Sequence, residues 1–207
     1  MAQGRKQTLI RTAATFFLAW IAMGKGDFAG WRDAFDVLKE CSSEVLLHSF
    51  VLPSVVDMAK AILFSEVGMG DEVTAEWLRE GDFSGERRSN FTTQQMVVHL
   101  DDLLHRKQYA RLVGTAEAAY PRGIRVERFG EVFPALIAAA GYLGLNNIGK
   151  ATELVLQVIA FTLPGGLFCQ LVYYNQILDG LVEKCIAREY PEYKERFLAA
   201  KRMTLAP

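Results

Sequence analysis

Apolar positions recur every three to four residues along most of this chain, and that spacing lines one face of a helix. Alternating β-branched runs and Asn-Gly hairpin turns, the marks of strands, are missing from the sequence. The pattern therefore predicts an all-α protein of about nine helices. Gln7 to Met23 forms the first, ended by Gly24 and Gly26. Asp27 caps a second over Phe28 to Glu40, with Trp31, Phe35 and Leu38 on one face. Ser42 or Ser43 caps a third over Glu44 to Ser65, interrupted at Pro53. A short helix follows around Val73 to Arg79.

The stretch "EGDFSGERRSN", Glu80 to Asn90, has two glycines and mixed charge, so a linker is expected over 81–90 between units at 1–80 and 91–207. One long helix is then expected from Thr92 toward Ala119, stopped by "YPRG". Helices across Arg125 to Leu143 and Ala151 to Leu163 flank a turn at "LGLNNIGK". A last long helix runs from Gly166 toward Arg188, and Pro191 opens a charged tail helix.

Bulk composition narrows the function classes. The chain has 207 residues, 51% of them hydrophobic, which suffices for a core without metal or disulfide staples. With a net charge of −1 and scattered Lys and Arg, it carries no footprint for nucleic acid. Cys41, Cys169 and Cys185 form no C-x-x-C pair and read as buried small hydrophobes in a reducing, intracellular compartment. Arg5, Lys6 and Arg11 ahead of an apolar run resemble a mitochondrial presequence, but no A-x-A cleavage site follows, so a structural helix is expected. The oily run Leu154 to Tyr174 contains Pro164, Gly165 and Gly166, which predicts a buried helix pair rather than a membrane span. Peripheral membrane contact stays open.

Two stretches share an order of features: "SSEVLLHSFVLPSVV" (Ser42 to Val56) and "ATELVLQVIAFTLPGG" (Ala151 to Gly166). Each has a glutamate, an apolar run holding one polar side chain (His48 or Gln157), and a proline (Pro53 or Pro164). The pattern resembles the carboxymuconolactone decarboxylase family, which shares its fold with AhpD-like alkylhydroperoxidases. The first stretch matches at Glu44, Val45, Leu46, Leu47 and His48; the second at Gly144, Leu145, Glu153, Gln157, Phe161 and Pro164. The resemblance implies a helical bundle of two such units. It also implies departures: the C-x-x-C of the peroxidase branch is replaced by "AMGKGDFAGWRD", and Trp31 stands where the decarboxylase branch has a histidine.

Without that thiolate nucleophile the chain reads as a non-catalytic structural or assembly subunit, with other protein subunits or further copies of itself as partners. Phe16, Trp20 and Trp31, and on the last long helix Leu171, Tyr174 and Leu178, are the expected interface residues. The alternative is a cofactorless lyase or isomerase acting on a small oxo-acid or lactone. There Glu44 would orient His48 four residues on, as a general acid/base pair. A plain helical adaptor is the third reading. His99 and His105, with Asp101 and Asp102 between them, lack the i, i+4 spacing of a zinc helix and read as a solvated charged face. No cofactor or metal is expected.

Overall fold

The computed structural model describes residues 2–45, 52–66, 68–72, 92–120 and 124–204. Among them are ten α-helices and no strand. The chain divides into two compact units, Met1–Arg87 and Arg88–Ala206, so the division falls within the 81–90 stretch. The short helix expected at Val73 to Arg79 lies outside the described residues.

In the first unit, α1 (Ala2–Gly24) and α2 (Phe28–Val45) form a hairpin against which α3 (Leu52–Glu66) packs. The turn is built as the sequence suggests. Gly26 takes φ +70°, Asp27 N–H reaches back to the Ala22 carbonyl at 2.9 Å, and the Asp27 carboxylate accepts the Gly30 N–H at 2.9 Å. One residue of positive φ thus serves the last carbonyls of α1, and the next caps α2. The core is aromatic: Trp31 stacks between Phe28 and Phe35, and Phe35 meets Phe64 at 4.5 Å. Thr12, Thr15, Ala19 and Ala22 give α1 a buried face of small side chains. One expectation is overturned here. Ser42 and Ser43 start no helix, because α2 continues through them to Val45.

The second unit holds α4 (Thr92–His105), α5 (Tyr109–Ala119), α6 (Val132–Gly144), α7 (Ile148–Thr162), α8 (Phe168–Ile177), α9 (Leu181–Glu189) and α10 (Lys194–Thr204). Its centre is α6, sequence "VFPALIAAAGYLG", with every residue from Pro134 to Tyr142 buried and α4, α5, α7 and α8 packed around it. A helix apolar on all sides must be enclosed on all sides.

The expected long helices are broken in two. Thr92 to Ala119 divides at Lys107 (φ +56°), and Gly166 to Arg188 divides at Asp179 and Gly180 (φ +49° and +74°). The expected helix at Arg125 opens later, with a 3-10 turn at Phe129–Glu131 ahead of Val132. The turn after α6 follows the sequence reading: Asn146 takes φ +59°, and the Asn147 side chain accepts the Lys150 N–H at 3.2 Å.

Two glycines let α5 approach α6. A Cβ on Gly144 would stand 2.6 Å from the Tyr109 ring, and one on Gly141 2.6 Å from Leu112 Cδ2. Opposite outcomes are therefore expected from two substitutions read by urea denaturation. Gly144→Ala forces a rigid ring to move and should cost about 1–3 kcal/mol. Lys107→Gly relieves a left-handed backbone and should gain roughly 1 kcal/mol.

Candidate functional site

The sequence-predicted residues fall into three groups. Glu44 closes α2 instead of opening a helix, so its backbone sits at the negative end of the helix dipole. His48 lies outside the described residues, and with it the geometry of the expected Glu44–His48 pair.

The second group is Leu171, Tyr174 and Leu178, expected to face a partner. They are enclosed by their own unit, with no more than 1% of their surface exposed. The correction has a simple cause. Because the helix breaks at Asp179 and Gly180, α9 and α10 fold back and pack on α8. Within α8, Asn175 is buried and its side-chain oxygen accepts the Glu183 N–H of α9 at 2.9 Å. Tyr174 fills the interior against Phe133.

The third group divides by depth. Trp31 is a core residue, while Phe16 and Trp20 are half-buried at the edge of that core. The side chains that α1 turns outward are others: Ile10, Phe17, Leu18 and Ile21, each more than half exposed, with Phe28 of α2 at 61%. Reading both faces of the first helix, rather than the aromatic cluster alone, would have found them. Phe16, Phe17 and Trp20 lie with ring centroids 5.5–6.4 Å apart, so the aromatic edge is continuous with the outward strip.

Polar clusters of the second unit tie helices together. Tyr142 on α6 donates to the Glu117 carboxylate of α5 at 2.5 Å, and Lys150 of α7 reaches that carboxylate at 3.3 Å. The Tyr142 hydroxyl, then Lys150, hold the Glu117 carboxyl below its usual range. Burial, then the bond to Glu117, pushes the Tyr142 phenol up, and Glu117 raises Lys150. A phenol held protonated and a lysine held charged make a cross-brace between three helices, not a base or nucleophile.

The residues from His99 to His105 also depart from expectation. His99, Asp101 and Asp102 are buried rather than solvated, and Asp102 accepts the Arg106 Nε–H through both carboxylate oxygens at 2.9 and 3.0 Å. His105 lines a pocket of about 380 Å³ with Lys107, Tyr109 and Gly144. Burial lowers the His105 pKa against the pull of Asp102. The imidazole can accept a hydrogen bond, and the neighbouring Lys107 can attract an anion.

A wider groove of about 510 Å³ runs between Arg125, Glu127, Gln157 and Phe161. It gathers Gln157 and Phe161, two positions of the family resemblance, beside the Arg125 guanidinium and the Glu127 carboxylate. Among the described residues no cluster of His, Cys, Asp or Glu could hold a metal ion. No described helix is long and apolar enough to cross a membrane. Of the thiols, Cys41 and Cys185 are buried, whereas Cys169 is exposed and departs from the expectation for all three. No family model, curated protein or solved structure matches this chain.

Two outcomes check this placement. Tyr174→Asp buries a carboxylate in the core, so thermal denaturation should show the second unit several kcal/mol less stable rather than merely detached from a partner. Tyr142→Phe removes the donor that depresses Glu117. A carboxyl whose folded pKa is depressed contributes stability above its unfolded pKa and loses it as pH falls through the folded one. Melting temperatures measured from neutral pH down to about pH 3 should therefore fall less steeply for the variant than for the native chain.

Proposed function

We propose that this protein is a non-catalytic structural or assembly subunit whose first unit docks through the outer face of α1. One observation carries the reading: Ile10, Phe17, Leu18 and Ile21 put large apolar side chains into solvent along a single helix, at 54–68% exposure. Beyond Phe28, the other helix of the hairpin does the opposite. The exposed positions of α2 include Arg32, Asp33, Asp36, Lys39 and Glu40, so the same unit has an ordinary solvated face beside an oily one. Contiguous exposed apolar surface of this kind marks a contact surface.

The cross-brace of Glu117, Tyr142 and Lys150 supports the same reading, because its ionisable groups stabilise helix packing. The likeness to carboxymuconolactone decarboxylase units belongs to this proposal as well. Its support is local: the second stretch has a turn at Asn146 and a cap at Asn147 before its glutamate.

The test is the native size of the protein in gentle extracts of its source cell. The unmodified chain should run well above its own 23.1 kDa, and the double variant Phe17→Asp, Ile21→Asp should run alone with unchanged helical circular dichroism. An unmodified chain that runs at its own mass, with none of it on membranes, would overturn the docking role.

A further inference from the structure

We propose that the surface covered by α1 is a lipid bilayer carrying anionic headgroups, on which the helix lies parallel to the membrane plane. The inference rests on the docking reading above and names its partner.

Three observations favour lipid over protein. The first is the inverted build of α1. Its buried face is made of small residues, Thr12, Thr15, Ala19 and Ala22; Phe16 and Trp20 are half-buried beside it, and Ile10, Phe17, Leu18 and Ile21 point into solvent. A helix that keeps four large apolar side chains outside still has their burial to gain from an apolar medium. The second is charge. Through Gly26 the chain carries four of its 23 basic residues, Arg5, Lys6, Arg11 and Lys25, and none of its 24 acidic ones. The first acidic side chain, Asp27, is engaged in capping α2, and Arg32 sits 4.8 Å over the exposed Phe28 ring. On α2, Glu40 is paired with Arg11 and Asp36 with Lys39, each at 3.1 Å, while Asp33 is exposed. A positive segment on a chain of net charge −1 is the complement of an anionic surface.

The third observation is size. From Ile10 to Ile21 the strip is roughly 18 Å long and about 10 Å wide at ~1.5 Å per residue. Such a strip falls well short of the ~800 Å² per partner that a standard protein interface buries. It is also too short to span the ~30 Å hydrocarbon core, so the helix can only lie in the interface. There Phe17, Leu18, Ile10 and Ile21 would enter the acyl boundary, with Trp20 at its edge.

Flotation of the full chain with phosphatidylcholine vesicles, with and without about 30 mol% phosphatidylserine, tests this. Binding is expected to the anionic vesicles, to weaken as salt is raised, and to drop at least ~10-fold in Phe17→Asp, Ile21→Asp. Arg5→Gln, Lys6→Gln should weaken binding to anionic vesicles while leaving the fold untouched. Absence of binding to anionic vesicles at low salt, or equal binding by the Asp variant, overturns the lipid assignment. If in addition light scattering shows a defined oligomer that the same Asp variant dissolves, the docking reading stands with a second copy as the partner. A chain that neither floats nor assembles, and runs at its own mass in native extracts, overturns both.

Discussion

The last carbonyls of a helix need donors, and among the described residues this need is met the same way six times. After α1, α3, α4, α6, α7 and α8 comes a residue of positive φ: Gly26, Gly68, Lys107, Asn146, Gly166 and Asp179. In each case the next residue's N–H bonds the carbonyl five residues back, at 2.8–3.1 Å. The bond closes the helix and reverses the chain within about three residues, which is why neighbouring helices form hairpins rather than long rods. Remove that constraint and α4 would run into α5, and α8 into α9. The core around α6 would then lose a wall, and α7 and α8 the helix that packs on them.

What the turns arrange, the packing of α6 completes. Its Ala-rich, glycine-ended sequence lets four helices come close, and Gly141 and Gly144 admit Leu112 and the Tyr109 ring of α5. Ionisable groups at the margin of this core are paired across helices, as with Glu117, Tyr142 and Lys150, or Glu183 and Lys201 at 2.7 Å. Such pairs contribute modestly to stability, and fixing the register of one helix on another is a role suited to them. The first unit has a different economy. Its core is a stack of aromatic rings, and its outermost helix keeps large apolar groups in solvent. That contrast is what motivates the docking surface proposed for the first unit.

The all-α class, the Asp27 cap, the Gly26 terminus and the Asn146–Asn147 turn were legible along the chain, because each depends on neighbours within one helical turn. Glycine and asparagine announce a left-handed terminus through their own backbone preferences. Lys107 and Asp179 do not. Both are held left-handed by the packing that follows, so two breaks were hidden in apparently continuous helices. The break at Asp179 also decides the fate of Leu171, Tyr174 and Leu178, because it lets α9 and α10 fold over the face that the sequence leaves open.

Periodicity by itself determined that the chain is helical and which side chains are apolar, since both are local properties of sequence. It could not say which of two apolar faces is inside. On α1 the smaller residues turn inward because α2 packs closely there, leaving Ile10, Phe17, Leu18 and Ile21 outside. On α4 the polar His99, Asp101 and Asp102 turn out to be buried, although their charge suggested solvent. In both helices the decision came from tertiary packing, because burial depends on how closely a neighbouring backbone can approach, and that distance is written in no single helix.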